Sequence, residues 1–239
     1  MTADLRGAVA VVTGASGNLG PVWSAALAGA GATAVGLDLQ EADGVLRADV
    51  TDRASLERAL AAVIERAGVP SILVNNAGID VPPCHADDAS FARTLDVNVV
   101  GVQNATEVFG RAMCEAGRGS IVNIGSLYAS VAPIPAFYDH IEPPFTKPPA
   151  YGASKAAVVN LTRYYARLWG PYGVRVNALS PGGVRADQDD EFLRKYNERV
   201  PLGRMAQPED LVGPLLFLCS DASRYVTGHE LRADGGFTA

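Results

Sequence analysis

Tyr151 and Lys155 stand four residues apart, and their side chains could share acid–base chemistry. On a helix this spacing places both side chains on the same face. A phenol with its ordinary pKa of about 10 is a poor base at neutral pH. We expect the Lys155 ammonium, together with a position of Tyr151 near a helix N-terminus, to lower the pKa of Tyr151. The pair therefore predicts a tyrosine general acid/base, although the same spacing is also common on ordinary helix surfaces.

A glycine-rich turn follows the first apolar segment and leads into an alanine-rich stretch. It reads Thr13-Gly14-Ala15-Ser16-Gly17-Asn18-Leu19-Gly20. Glycines in this setting let the backbone approach a pyrophosphate, and the N-terminus of the following helix favours the bound anion. Asp38 ends the second apolar segment, where a carboxylate can accept both ribose hydroxyls of NAD and repel a 2′-phosphate. We therefore predict a dinucleotide site that prefers NAD(H) over NADP(H).

Short motifs follow most of the other apolar segments. They are Asp49-Val50, Asn75-Asn76-Ala77-Gly78, Gly125-Ser126, Pro181-Gly182-Gly183-Val184 and Asp234-Gly235-Gly236, and Asn98 lies in a mid-chain helical stretch. Together with the glycine-rich turn and the segment from Tyr151 to Lys155, this series resembles the classical short-chain dehydrogenase/reductase family over nearly the whole chain. The resemblance implies a Rossmann domain whose nicotinamide dinucleotide performs the hydride chemistry.

The resemblance also implies roles for individual residues. Tyr151 would exchange a proton with the substrate oxygen, and Ser126 would hydrogen-bond that oxygen and steady developing charge. Lys155 would hold the nicotinamide ribose, and Asn98 would order a water in a proton relay. The residues implied to contact the cofactor are Gly14, Ser16, Gly17, Asn18, Leu19, Gly20, Asp38, Asp49, Val50, Asn75, Asn76, Ala77, Gly78, Ile124, Tyr151, Lys155, Pro181, Gly182 and Val184.

Three features depart from the family pattern. Asn18 stands where classical members usually have glycine, although asparagine tolerates left-handed conformations better than most residues. Ala186 stands where many relatives have a threonine that hydrogen-bonds the nicotinamide amide. The interval from Ser126 to Tyr151 is longer than in common members, because a proline-rich segment lies within it.

That segment, residues 132–149, has prolines at positions 133, 135, 143, 144, 148 and 149 and predicts an extended loop. It leads directly into Tyr151, and ligands of open α/β sheets bind at the carboxyl ends of the strands. Its polar and aromatic groups suit a hydroxylated substrate, and the segment resembles those of members that act on sugars or sugar-derived acids. The same groups could instead face water. The predicted substrate contacts are Ser126, Tyr138 and His140.

Short apolar segments alternate with helical stretches along the chain. Strands are predicted at Ala8–Val12, Thr33–Leu37, Val45–Val50, Ile72–Val74, Ser120–Ile124, Val174–Leu179 and Glu230–Ala233, and helices at Gly20–Gly29, Ser55–Arg66, Phe91–Glu115, Tyr151–Trp169 and Pro208–Cys219. Continuously apolar strands that alternate with helices indicate a parallel sheet covered on both faces. We predict one α/β domain over residues 1–239, a Rossmann fold with a doubly wound, seven-stranded parallel sheet.

The composition limits the partners and the compartment. With 48% hydrophobic and 19% charged residues, the 239-residue chain can bury a large core. A net charge of -6 without a basic cluster argues against nucleic acid and anionic membranes, and no apolar run is long enough to span a bilayer. We expect a cytoplasmic protein with reduced thiols and no metal site, because its cysteines and histidines are scattered. These are Cys84, Cys114, Cys219, His85, His140 and His229.

Three functions remain open at this stage. The first is an NAD(H)-dependent oxidoreductase that interconverts a secondary alcohol and a ketone, with a sugar or sugar-derived compound as the candidate substrate. The second is a nucleotide-sugar-type epimerase or dehydratase that recycles bound NAD, since Gly14, Gly17 and Gly20 also fit the extended branch of the superfamily. We expect no C-terminal substrate domain after the last strand, and the Asn75-Asn76-Ala77-Gly78 and Pro181-Gly182 motifs resemble the classical branch, so both features oppose the extended branch. The third is a catalytically silent dinucleotide-binding regulator, which would not require the set of Ser126, Tyr151 and Lys155.

The resemblance further implies a homo-oligomer, a tetramer or a dimer. Relatives commonly assemble through the helices that carry Asn98 and Tyr151. Val99, Val102, Val158 and Leu161 on these helices are candidates for the interface or for the core.

Overall fold

A computed structural model describes residues 3–81, 87, 89–142 and 147–239. Cys84 and His85 lie outside the described residues. The strands are β1 (Val9–Thr13), β2 (Thr33–Asp38), β3 (Val45–Arg47), β4 (Ile72–Asn75), β5 (Gly119–Ile124), β6 (Val174–Pro181) and β7 (Glu230–Ala233). They form one parallel sheet in the order β3-β2-β1-β4-β5-β6-β7, which confirms the predicted seven-stranded, doubly wound architecture.

Helices cover both faces of this sheet. They are α1 (Gly20–Gly29), α2 (Arg53–Ala67), α3 (Ser90–Leu95), α4 (Gly101–Glu115), α5 (Pro149–Trp169), α6 (Asp190–Asn197) and α7 (Val212–Cys219). Along β1, Val9 and Val11 join an apolar cluster that includes α2, α4 and α5, while Ala10 and Val12 join a second cluster that includes α1 and α7. Since successive strand residues point to opposite faces, an unbroken apolar strand fills both clusters.

One predicted helix and one predicted strand have clearly different bounds in the structure. The stretch Phe91–Glu115 is two helices joined by a π-helix at Asp96–Val100, and this irregular turn surrounds Asn98. β3 ends at Arg47 and not at Val50.

The structure also corrects the bounds of the proline-rich segment. Pro149 lies in the first turn of α5, where a missing N–H costs no helical hydrogen bond, so this segment ends one residue earlier than predicted. Within it, Pro135–Phe137 form a short 3-10 helix and not extended chain.

Helix α6 was not predicted at all, although its sequence contains a signal. The Asp189 side chain accepts a hydrogen bond from Phe192 N at 2.9 Å and caps the helix. Leu193 and Tyr196 are buried on its inner side. An N-cap aspartate followed by apolar residues at helical spacing is a recognisable start signal.

Of the four apolar residues named as candidates for the interface or the core, Val102 and Val158 are buried, and Val99 and Leu161 are partly buried. Three other apolar residues on the same group of helices, Val100, Tyr164 and Leu168, are exposed. Among the described residues, no helix combines the length and the apolar character needed to cross a membrane.

Candidate active site

Two adjoining cavities open at the carboxyl ends of the strands. The glycine-turn cavity has a volume of about 650 Å³, and the loop cavity has a volume of about 500 Å³. The glycine-turn cavity is lined by Gly14, Ser16, Gly17, Asn18, Leu19, Leu37, Asp38, Leu39, Ala48, Asp49, Val50, Asn76, Ala77, Gly78, Ile79, Asp80, Val97, Ile124, Tyr151 and Lys155. Tyr151 and Asp80 line both cavities and therefore stand where the two meet.

The glycine-rich turn forms one wall of its cavity by close backbone packing. Gly14 has a φ of +64°, and a Cβ there would lie 2.7 Å from Ala77 Cα. A Cβ on Gly20 would lie 2.4 Å from Gly14 O, so α1 can start here only with glycine. No described non-glycine residue has a positive φ. Asn18 therefore needs no left-handed conformation, and its departure from the family pattern imposes no strain on the turn.

The polar lining of this cavity includes a carboxylate whose position is fixed by hydrogen bonds. Asp38 Oδ2 accepts a hydrogen bond from Ser16 N at 2.9 Å, and its Oδ1 accepts one from Leu39 N at 2.8 Å. These bonds hold the carboxylate at the end of β2. The described lining carries one cation, Lys155, which donates to Ile124 O at 2.8 Å. The glycine turn thus suits a pyrophosphate, and the fixed carboxylate can accept hydrogen bonds from ribose hydroxyls.

Most residues predicted for the cofactor line the glycine-turn cavity, but five do not. Pro181, Gly182 and Val184 line the loop cavity. Gly20 packs behind the turn. Asn75 lies beneath the cavity, where its Nδ2 donates to the side chains of Thr106 and Asn123 at 2.9 and 2.8 Å and links β4 to its neighbours.

The predicted acid/base pair is present, but its electrostatics differ from the expectation. The pKa of Tyr151 is raised to about 12, mainly by burial and also by the charge of Asp80, while a hydrogen bond with Ser126 acts in the opposite direction. Burial also lowers the pKa of Lys155 to about 8. Lys155 Nζ lies 5.5 Å from the centroid of the Tyr151 ring. The expected lowering of the Tyr151 pKa by Lys155 is therefore wrong for this structure, because removing the phenol from water is the larger effect.

The buried Asn98 side chain connects the segment at Ile79 to helix α5 by hydrogen bonds. Its Oδ1 accepts from Ile79 N at 2.7 Å, and its Nδ2 donates to Ile79 O at 2.9 Å and to Ser154 Oγ at 3.0 Å. Asn98 thus fixes the backbone that leads to Asp80 and ties it to α5. A role in a proton relay stays a prediction.

The proline-rich segment and α6 enclose the loop cavity. Tyr138 lines it and packs against Phe192 of α6, with ring centroids 5.4 Å apart. His140 is not among the lining residues. Its Nε2 lies 2.8 Å from Asp189 Oδ1, so it fastens the segment to the start of α6. Of the predicted substrate contacts, Ser126 and Tyr138 face the cavity and His140 braces it.

Sequence reasoning missed several lining residues. Asp80 and Lys147 form an ion pair beside Tyr151. Gln188 Oε1 accepts from Ala186 N at 2.8 Å, and its Nε2 donates to Val184 O at 3.2 Å. Gln188 thereby links the backbone of Val184 to that of Ala186, and Ala186 is the position at which many relatives carry a threonine. Asp80 could have been found from its place two residues after the Asn75–Gly78 motif, whereas Lys147 and Gln188 belong to no motif.

Comparisons with known proteins agree with this geometry. A family model described as enoyl-(acyl carrier protein) reductase matches residues 22–238. The galactitol 2-dehydrogenase (L-tagatose-forming) of Cereibacter sphaeroides is 38% identical over 256 residues, covering 98% of this chain and 96% of the relative.

Two solved structures superpose closely on the chain. A short-chain dehydrogenase of Leptospira borgpetersenii with bound NAD+ has a TM-score of 0.88 at 34% identity, covering 99% of this chain and 94% of that one. A gluconate 5-dehydrogenase of Burkholderia cenocepacia J2315 in complex with NADP and tartrate has a TM-score of 0.87 at 30% identity, covering 99% and 97%.

Proposed function

The chain belongs to the short-chain dehydrogenase/reductase family, and from that premise we propose that it is an NAD(H)-dependent dehydrogenase of sugar-like secondary alcohols. The observation that carries the proposal is the position of Tyr151 on the shared wall of the two cavities. Lys155 lines the glycine-turn cavity, which fits the cofactor, and Ser126 lines the loop cavity, which fits the substrate. A hydroxyl that enters the loop cavity would therefore meet the acid/base next to the cofactor.

The bound nicotinamide supplies the hydride acceptor or donor. The chain's own residues manage the proton at the substrate oxygen. With a pKa of about 12, Tyr151 keeps its proton at neutral pH and is ready to donate it to a ketone oxygen. Ser126 lies beside this phenol and can donate a second hydrogen bond to the same oxygen. In the oxidation direction, Tyr151 must accept a proton, and the nearby Lys155 ammonium stabilises the resulting phenolate.

The preference for NAD(H) rests on Asp38. The two solved relatives bind NAD+ in one case and NADP in the other, so the family alone does not decide. In this chain a fixed carboxylate ends β2, and the neighbouring cavity residue Leu39 offers no positive charge for a 2′-phosphate. Repulsion between two anions in the same pocket favours the unphosphorylated cofactor.

A screen of polyols, secondary alcohols and ketones with NAD, NADP, NADH and NADPH tests the function directly. We expect NAD-linked oxidation of a polyol, and a fall in kcat/KM of about 10²- to 10⁴-fold for Tyr151→Phe. Tyr164→Phe is the matched control, because Tyr164 is 61% exposed on the same helix.

Three outcomes would contradict the proposal. Full turnover by Tyr151→Phe would remove the assigned base. Product formation without net change in NADH absorbance would indicate an epimerase or dehydratase. Tight NADH binding without turnover across the whole panel would indicate a regulator.

A further inference from the structure

An ion pair that no part of the proposed proton transfer uses stands beside the acid/base. Asp80 and Lys147 pair through Oδ2 and Nζ, and their side chains keep 33% and 24% of their exposure. Lys147 Nζ lies 5.7 Å from the ring centroid of Tyr151 and 6.0 Å from that of Tyr128. Both members of the pair line the loop cavity, and Asp80 lines the glycine-turn cavity as well. The pair is therefore within reach of a group close to the reacting carbon.

This pair retains free hydrogen-bonding capacity. Among the described residues, Asp80 Oδ1 has no hydrogen-bond partner, so one carboxylate oxygen can still accept. An ammonium has three donors, and Lys147 directs one of them at Asp80. The site can thus accept one hydrogen bond and donate another at neighbouring points. A hydroxyl group needs both, because it donates its own proton and accepts through its lone pairs.

The charges around the loop cavity disfavour an anion. Its described lining contains two carboxylates, Asp80 and Asp189, and one ammonium, Lys147. The Lys147 charge is already neutralised by Asp80, and the Asp189 carboxylate is held by His140. A substrate carboxylate that accepted a hydrogen bond from Lys147 would lie beside the Asp80 carboxylate, and the repulsion between the two anions disfavours it.

We propose that Asp80 and Lys147 together bind a hydroxyl on the carbon adjacent to the reacting one and thereby select neutral polyols and ketoses over sugar acids. This inference rests on the proposed function and specifies its substrate class. Asp80 and Lys147 are specificity residues, whereas the proton transfer remains with Tyr151.

The ratio of kcat/KM between two matched substrates tests this selection. Both substrates use the same acid/base, so any effect of Asp80 on Tyr151 cancels in a ratio measured at one pH. The first pair is 2,3-butanediol and 2-butanol, and the second is a hexitol and the aldonate of the same stereochemistry. In the unmodified enzyme we expect the hexitol to exceed the aldonate in kcat/KM by about tenfold or more. In Asp80→Asn and in Lys147→Gln, the diol-to-monoalcohol ratio should fall by about 10- to 100-fold. In Asp80→Asn, the aldonate-to-hexitol ratio should rise by about tenfold.

Glu57→Gln serves as the control, because it breaks an exposed ion pair with Arg53 on α2, away from both cavities. All ratios should stay unchanged in this variant. Equal losses for the diol and the monoalcohol in both site variants would overturn the inference, and so would a preference of the unmodified enzyme for the aldonate.

Binding of the hexitol to the NAD-loaded protein, measured by saturation-transfer NMR, separates the inference from the proposed function. If no alcohol is oxidised but Asp80→Asn weakens hexitol binding about tenfold, the proposed function fails, while the binding of a polyol hydroxyl by this pair stands. If oxidation occurs and Asp80→Asn leaves both hexitol binding and the ratios unchanged, the inference fails and the proposed function stands.

Discussion

At the scale of single residues, burial affects the pKa values of the proposed catalytic pair more than the attraction between its members does. Tyr151 and Lys155 are both shifted toward their neutral forms, Tyr151 upward to a pKa of about 12 and Lys155 downward to about 8. Sequence spacing reveals the pair but not this effect, because desolvation depends on the chain segments that cover the phenol. The charge of Asp80 adds to the upward shift of the Tyr151 pKa, and this effect too depends on how the chain folds.

The proposed preference for NAD over NADP can be tested at a single residue, Asp38. Asp38→Asn keeps an acceptor oxygen for Ser16 N but removes the charge that opposes a 2′-phosphate. We expect the ratio of kcat/KM for NADP to that for NAD to rise by about tenfold or more, which corresponds to about 1.4 kcal/mol. Steady-state kinetics with one polyol and both cofactors measure the ratio.

Asp43→Asn is the matched control, because it neutralises an exposed carboxylate in the connection between β2 and β3. The ratio should not move in this variant. An unchanged ratio in Asp38→Asn would show that another feature sets the cofactor preference.

At the scale of elements, the loop cavity depends on the docking of α6 against the proline-rich segment. Phe137 and Tyr138 of that segment pack against Phe192 and Tyr196 of α6, and His140 pairs with Asp189 at the edge. The sequence predicts the segment from its prolines but not its partner, since this packing joins residues about fifty positions apart.

The π-helix around Asn98 escapes prediction for a similar reason. A regular apolar pattern predicts one continuous helix. The π-helix contains Asn98, whose side chain forms hydrogen bonds with the distant residues Ile79 and Ser154.

Variants of Asp189 separate its two functions. Asp189→Asn keeps a good N-cap for α6 but loses the charge that faces His140, so KM for the polyol should rise several-fold while the melting temperature stays nearly unchanged. Asp189→Ala removes the cap as well, and its melting temperature should fall by a few degrees. His140→Gln should reproduce the rise in KM alone. Steady-state kinetics and thermal melting measure both quantities. An unchanged KM in all three variants would show that the contact between His140 and Asp189 does not shape the cavity.

At the scale of the whole molecule, the parallel sheet explains why distant motifs meet. All seven strands run in one direction, so the residues after β1, β2, β4, β5 and β6 gather at one edge. Alternating apolar strands and helices predict this arrangement well, and with it most of the glycine-turn cavity. The loop cavity is predicted less well, because it depends on the packing of α6 against the proline-rich segment, which no motif indicates.

The same helices that carry Asn98 and Tyr151 leave apolar side chains in water. Val100, Tyr164 and Leu168 are 41%, 61% and 45% exposed, and the π-helix that holds Val100 packs against α5. Large exposed apolar groups on adjoining helices are typical of a contact surface. We therefore expect the chain to form a homo-oligomer, a dimer or a tetramer, through this face.

The double variant Tyr164→Glu/Leu168→Glu would place charges in that contact and should lower the mass toward the 24.9 kDa of one chain. Val69→Glu, at another exposed apolar position, should leave the assembly intact. Sedimentation equilibrium measures the masses, and a monomeric unmodified protein would contradict the prediction.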